Sequence, residues 1–377
     1  MELSYKNKKS EKDVFELSKL KAKDISSIIN KKPNLLLFGD NFTALSSLIN
    51  SGYSGKIDLI YIDPPYNTNQ VFTVSDDDRV STISRSKSKS NIVAYNDNFT
   101  IEEYLEFMRE RLFLMRELLS EKGSIYVHID TKMGHYLKII LDEVFGMNNF
   151  RNDISRIKSN PKNFSRRAFG NEKDIVLFYV KNTSKNIFNN ITQSLSEDEK
   201  ISMFHKIDTS GRRYNTVPVH APGETLNGET GREWKGMLPP KGRHWRVSPL
   251  ELDKLDEQNL IEWSKNGVPR IKKFADEHKG KKIQDVWKFK DPAHPIYPTE
   301  KNASMLEMII AQSSNENSIV MDCFAGSGST LKVANKLGRK WIGVDISPVS
   351  LNTMITTMNT QNFELIELEK VSLYNEQ

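Results

Sequence analysis

The chain has 377 residues, with 54 Lys and Arg against 49 Asp and Glu and a net charge of +5. That length suits a large core and two domains at roughly 100–200 residues each. No apolar run approaches the ~20 residues of a membrane span, the polar start from Met1 to Lys12 has no signal-peptide core, and a single cysteine, Cys323, excludes an internal disulfide and a multi-cysteine zinc site. A cytoplasmic protein is expected. The charge is unevenly spread: residues 151–296 hold 28 Lys and Arg against 19 Asp and Glu, and four of the five tryptophans. A basic, aromatic-rich segment between less basic ones is a candidate nucleic-acid-binding region.

Residues 1–33 are lysine-rich and read as a helical or partly disordered extension. Asn34 to Phe38 is a short apolar strand, Phe42 to Leu48 a helix, and Leu59 to Ile62 a buried strand, with Gly52 and Gly55 as punctuation. Strand, helix, strand is the parallel α/β rhythm. Residues 69–98 are polar and aperiodic, and read as a mobile loop. Thr100 and Glu103 form a capping box, followed by an apolar stripe of Ile101, Tyr104, Leu105, Met108, Leu112 and Met115 that Gly123 is expected to end. Ser124 to Asp130 is the next strand and Tyr136 to Phe145 the next helix. Asn152 to Arg167 carries Arg156, Lys158, Arg166 and Arg167 among polar residues and reads as a charged loop, placed to contact phosphates or simply solvated. Asp174 to Val180 is again a strand. From residue 184 the rhythm lapses into short strands and loops. It returns near Tyr297, with a helix from Ala303, a strand from Ile319, a helix from Thr330 and a strand from Trp341 to Asp345.

Two junctions in this plan carry chemistry. The strand ending at Ile62 stops at Asp63-Pro64-Pro65-Tyr66. The prolines cannot donate to a ladder and each fixes its own φ, so Asp63 and Tyr66 sit on a stiff loop at a strand's carboxyl end, where open α/β sheets bind ligands. A carboxylate beside a proline carbonyl offers two acceptors to an amino group, and a tyrosine offers a face for a base. The second junction is Asp322-Cys323-Phe324-Ala325-Gly326-Ser327-Gly328-Ser329-Thr330, a strand, a glycine turn and a helix start, with Asp345 ending the next strand 19 positions after Gly326. Glycines let a ligand approach the backbone, and an acid at the next strand end suits ribose hydroxyls. A dinucleotide site has a third glycine, missing here, and Asp322 would repel a pyrophosphate.

Together Gly39-Asp40-Asn41, Asp63 to Thr68, Tyr297-Pro298-Thr299-Glu300-Lys301 and Phe324-Ala325-Gly326-Ser327-Gly328-Ser329-Thr330, in this order, resemble the β class of site-specific DNA adenine methyltransferases, which includes the Mod subunits of type III restriction systems. One departure is Glu300-Lys301-Asn302 where the family usually has Gln-Lys-Pro. The resemblance implies a Rossmann-like fold, a mostly parallel twisted sheet with helices on both faces, split into a catalytic half (34–183) and a cofactor half (295–377) by a target-recognition domain (184–294). It implies S-adenosylmethionine as cofactor and double-stranded DNA as partner, with no metal, and a homodimer and a restriction subunit as further partners. Association with the nucleoid through DNA would follow.

The same resemblance distributes roles. Asp63, Pro64, Pro65 and Tyr66 would form the catalytic loop. Asp40, Asp63, Thr299, Lys301, Asp322, Phe324, Gly326, Gly328, Thr330 and Asp345 would line the cofactor. Arg212, Arg213, Arg243, Trp245 and Arg246, together with Arg156, Lys158, Arg166 and Arg167, are the candidate DNA contacts. The alternatives are a cytosine-N4 methyltransferase, which more often has Ser at the position of Asp63, and a DNA-binding subunit without catalysis.

Overall fold

The computed structural model describes residues 2–29, 31–66, 99–160, 167–292, 300–359 and 362–368, together with the backbone course of 71–74 and 92–96. The chain divides into two compact units, one of residues 1–190 and 284–377, the other of residues 191–283.

Among the described residues the larger unit is built on one sheet of nine strands. In chain order they are β1 (Asn34–Phe38), β2 (Ile57–Ile62), β3 (Leu119–Ile129), β4 (Phe150–Ile157), β5 (Lys173–Val180), β6 (Val286–Lys288), β7 (Ile319–Asp322), β8 (Lys340–Asp345) and β9 (Phe363–Glu367). Their order across the sheet is β6-β4-β5-β3-β2-β7-β8-β1-β9. Only β5 runs against the rest, pairing antiparallel with β3 and β4. Continuous apolar runs such as Leu35-Leu36-Leu37-Phe38 suit this arrangement, because a parallel strand is buried on both faces.

One face holds Leu35, Leu37, Ile60, Ile62, Ile125, Val127, Ile175 and Leu177. It is covered by α1 (Glu11–Lys21), α2 (Asn41–Leu48), α3 (Ile101–Leu118) and α4 (Gly134–Phe145). The other face carries α5 (Ala303–Ser313), whose Ser313 Oγ lies 2.7 Å from Tyr126 Oη on β3, and α6 (Ser329–Lys336), whose Leu331 packs on Gly343 of β8. Beyond β8 the chain adds α7 (Pro348–Thr357) before β9. This is the Rossmann-like α/β arrangement. Among the described residues no helix is long and apolar enough to cross a membrane.

The structure corrects several readings. The Thr100 capping box starts α3 as expected, with Thr100 N donating to Glu103 Oε2 at 2.9 Å. The helix ends at Leu118, however, and Gly123 lies inside β3. Pairing jumps from Ile57↔Leu119 to Leu59↔Ser124. A Cβ at Gly123 would stand 2.9 Å from the carbonyl oxygens of Ile57 and Ser120, so the irregularity needs glycine. Residues 152–157, read as part of a charged loop, belong to sheet strand β4. The main sheet resumes at Val286, ahead of Tyr297, which with the rest of 293–299 lies outside the described residues. Of the stretch 69–98, Val71–Val74 and Ile92–Asn96 pair as an antiparallel ribbon; the remainder lies outside the described residues.

The smaller unit has a four-stranded antiparallel sheet of Lys206–Ile207, Arg213–Pro218, Ile261–Trp263 and Pro269–Phe274. It also contains two helices, Glu197–Met203 and Pro249–Glu257, which the reading as short strands and loops did not anticipate. The second is marked by a capping box at Ser248 and Glu251 with Pro249 in the first turn. Its core is Val219, Trp234, Trp245, Leu252, Ile261 and Ile271.

The close approach of α6 to β8 is expected to be intolerant of size. A Cβ at Gly343 would lie 2.3 Å from Leu331 Cδ1, so Gly343→Val is expected to destabilise by ~1–3 kcal/mol or more. Urea unfolding checks this; an unchanged midpoint would contradict the packing.

Candidate active site

The carboxyl ends of β1, β2, β7 and β8 bring Asp40, Asp63, Asp322 and Asp345 to one edge of the sheet. The decisive pairing is β2 with β7, Leu59 opposite Val320 and Ile60 opposite Met321. It sets the Asp63 loop beside the Asp322 turn, although the two are far apart in the sequence.

Asp63 is mostly buried. Its Oδ1 accepts from Tyr66 Oη at 2.7 Å, and its Oδ2 lies 2.8 Å from Lys301 Nζ. The same ammonium stands 5.4 Å from the centroid of the Tyr66 ring. The loop is therefore tied internally and by one cation. Lys301 is positioned by the start of α5, since it directly precedes the N-cap residue Asn302. Asn302 caps that helix, its side chain accepting from Met305 N at 3.2 Å and donating to Lys290 O at 2.9 Å. An asparagine thus starts the helix where the family usually has proline.

Asp322 is 3% exposed. Phe324 N donates to its Oδ1 at 3.0 Å and Thr330 Oγ1 to its Oδ2 at 2.6 Å. Burial, reinforced by the charges of Asp63 and Asp345, pushes its pKa up to about 7. Thr330 is itself buried, so its hydroxyl serves Asp322. Between them the chain turns through Gly326 at φ 52° and Gly328 at φ 75°. A Cβ at Gly328 would meet Met354 Cγ at 2.8 Å, so both conformation and space require glycine there. Asp345 holds the turn from the next strand, accepting from Gly326 N on Oδ2 and Ser347 N on Oδ1, each at 2.8 Å. Burial raises its pKa as well.

Asp40 caps α2, accepting from Thr43 N at 2.9 Å, and pairs with the buried Arg111 at 2.8 Å. Arg111 also donates to Asn41 Oδ1 and stacks over Phe107, 3.6 Å from its centroid, and Phe107 in turn neighbours Phe324 at 6.2 Å. The sequence reading overlooked Arg111. Its signal was a basic residue inside the apolar run of α3. Thr299 lies outside the described residues.

The candidate DNA contacts separate. Arg156 is fully buried, donating from Nε to Phe289 O at 2.8 Å and pairing with Asp291 at 2.6 Å. A side chain so enclosed is not a phosphate contact. Trp245 is 3% exposed, edge-on to Trp234, with Nε1 donating to Arg232 O at 2.7 Å; it is core. Arg212 is engaged with Asp276 and Glu277 and lies over Phe274. Lys158 pairs with Asp174 at 2.6 Å. Arg213 is half-buried, whereas Arg167, Arg243 and Arg246 are exposed. Arg166 lies outside the described residues.

A sequence profile of a DNA methylase family matches residues 57–355. The chain is 42% identical over 340 residues to the type II methyltransferase M.EcaI of Enterobacter cloacae, covering 89% of this chain and 70% of that protein. It is 24% identical to the EcoP15I Mod subunit of Escherichia coli and 28% identical to the StyLTI Mod subunit of Salmonella typhimurium, both from type III restriction-modification enzymes. These matches cover 81% and 79% of this chain but only 56% and 49% of those subunits. Among solved structures, the M1.HpyAVI–SAM complex aligns with a TM-score of 0.44 at 18% identity, over 86% of this chain and 98% of that one. By its profile match and its likeness to M.EcaI, the chain belongs to the DNA methylase family.

Proposed function

We propose that the chain transfers a methyl group from S-adenosylmethionine to the exocyclic N6 amine of an adenine turned out of double-stranded DNA. The observation that carries this is the β2–β7 pairing, which sets an Asp-Pro-Pro-Tyr loop beside an acidic glycine turn. The residues suit that cofactor. Asp322 is a buried carboxylate whose pKa is raised by burial and neighbouring acids. A sulfonium or ammonium beside it acts in the opposite sense. Gly326 and Gly328 keep the turn free of side chains, Asp345 suits ribose hydroxyls, and Lys301 suits the carboxylate. Bound there, S-adenosylmethionine would supply a methyl group already activated on a sulfonium and depart as the neutral thioether, while the amine would give up one proton, which Asp63 is placed to accept or to pass to water.

The chain's own part is geometric. The amine nitrogen of adenine is a poor nucleophile because its lone pair is delocalised into the ring. Acceptance of its hydrogens by Asp63 and the Pro64 carbonyl favours the pyramidal form. Both Asp63 oxygens already hold a partner, yet each carboxylate oxygen accepts a second hydrogen bond. Turning the base out costs roughly a few kcal/mol, partly offset by stacking on Tyr66, and in-line alignment contributes much of the rest. Asp63, in place of the serine more frequent in cytosine-N4 enzymes, supports adenine. The compact unit of residues 191–283, with exposed Arg243 and Arg246, is proposed to recognise the target sequence.

Mass spectrometry of unmethylated DNA incubated with the protein and S-adenosylmethionine is expected to find N6-methyladenine in one short context. N4-methylcytosine would overturn the adenine assignment, and no transfer would overturn the activity. Asp63→Ala is expected to abolish transfer while the cofactor still raises the melting temperature. Arg243→Ala and Arg246→Ala are each expected to weaken DNA binding and to lower its salt slope by about 1; unchanged slopes would remove them from the interface.

Asp322 also predicts a pH dependence without ligand. Its folded pKa, about 7, lies above its ordinary 3.8. The folded state therefore holds the extra proton. The resulting stabilisation is full below about pH 4 and is lost as pH rises through 7. Relative to Asp322→Asn, the wild type is expected to lose melting temperature between pH 5 and pH 8; parallel curves would refute the shift.

A further inference from the structure

A polar row crosses the α5–α6 face of the sheet at the level of the catalytic loop. It runs from Tyr61 on β2 through His128 on β3 and Asp174 on β5 to Arg156 on β4, with Arg156 paired directly opposite Asp174. Tyr61 Oη lies 2.8 Å from His128 Nδ1, and His128 Nε2 lies 3.4 Å from Asp174 Oδ2. Asp174 Oδ1 meets Lys158 Nζ at 2.6 Å and its Oδ2 faces Arg156 Nη1 at 3.5 Å. Arg156 Nη2 continues to Asp291 Oδ1 at 2.6 Å. His128 and Arg156 have no exposure, and Asp174 is 2% exposed.

The placement argues for function. Elsewhere on the same face the strands bury Leu59, Tyr126, Val176, Phe178 and Val320, with Val176 directly opposite His128. The ionisable groups gather at the level of the loop, whereas the polar groups further from it on β3 are the neutral hydroxyls of Ser124 and Tyr126; burying ionisable groups is costly where apolar side chains would pack. The network also has a direction. A carboxylate only accepts, so the imidazole nitrogen facing Asp174 carries hydrogen and the other accepts from the Tyr61 hydroxyl. Burial keeps that imidazole neutral by lowering its pKa. The ring cannot turn without breaking both bonds. Tyr66 rests against it, ring centroids 6.5 Å apart at 42°, with its hydroxyl tied to Asp63.

We infer that Tyr61, His128 and Asp174 form a positioning network that fixes the ring of Tyr66, and so the place where a base can stack before the Asp63 carboxylate. His128 touches no reacting atom; it acts through Tyr66. This inference rests on the proposed methyl transfer.

The test uses the full chain, S-adenosylmethionine and unmethylated genomic DNA. His128→Phe keeps a ring but removes both bonds, whereas His128→Gln can donate to Asp174 and accept from Tyr61. His128→Phe is expected to lower kcat by about 100-fold, with the KM for cofactor changed by less than about threefold, and His128→Gln is expected to recover about tenfold of that loss. Wild-type kcat in folded His128→Phe overturns the inference. So does a loss in both variants that merely follows their melting temperatures. If His128→Phe does not fold, Tyr61→Phe deletes only the hydroxyl donor; a several-fold fall in kcat supports the network and an unchanged kcat overturns it. Absence of transfer by the wild type would instead overturn the methylation reading beneath it.

Discussion

Everything at the edge of this sheet depends on one strand pairing. β2 and β7 come from opposite ends of the chain, and their register, Leu59 with Val320 and Ile60 with Met321, fixes where Asp63 and Asp322 emerge. Because successive side chains alternate between faces, a slip by one residue would turn Tyr61 and Asp322 to the opposite face. Such a slip would bury the wrong set of side chains along both strands. The apolar cores on the two faces therefore hold the register, and the register holds the chemistry.

The edge that results is electrostatically uneasy. Asp63, Asp322 and Asp345 are gathered at neighbouring strand ends, and burial together with the charges of Asp63 and Asp345 disfavours ionisation of Asp322. Two kinds of relief are built in. Backbone N–H groups serve the carboxylates of Asp322 and Asp345, and Lys301 is delivered to Asp63 by the start of α5. Desolvation still wins at Asp322, where hydrogen bonds lower the pKa but do not restore its ordinary value. The site is left with a deficit of positive charge. A cationic ligand meets that deficit, and an anionic one worsens it.

The sequence made the strand ends legible because they coincide with strong local signals. Two prolines stop β2, and two glycines turn the chain after β7. Lys301 could be placed by its motif, and its pairing with Asp63 refined that placement. What local signals could not show was burial. Arg156 and Trp245 have the residue types of a nucleic-acid surface, yet one is enclosed by Asp174 and Asp291 and the other by a tryptophan core. Arg151, Asn152, Asp153 and Arg156 mask a strand whose hydrogen bonds come from β5. Gly123 looks like a helix stop, but it serves a bulge whose need appears only when Ile57 is set beside it. His128 stood in view within an apolar strand. Its role depends on Asp174 and Tyr61, which no spacing rule connects to it.

The strand order also bears on how the chain is made. Among the described residues β1 has β8 and β9 as its neighbours, and β2 lacks its second neighbour until β7 exists. While a ribosome works through the residues between, Leu-Leu-Leu-Phe of β1 and one edge of β2 have no sheet to join. At about 5–20 residues per second that interval is on the order of tens of seconds, long compared with the ~1–10 μs of hairpin formation. An open, apolar strand edge invites pairing with another chain. Through most of its synthesis the nascent protein therefore carries an apolar strand edge that only its last third can cover. A version truncated before residue 319 would retain the catalytic loop's sequence without the sheet that aims it.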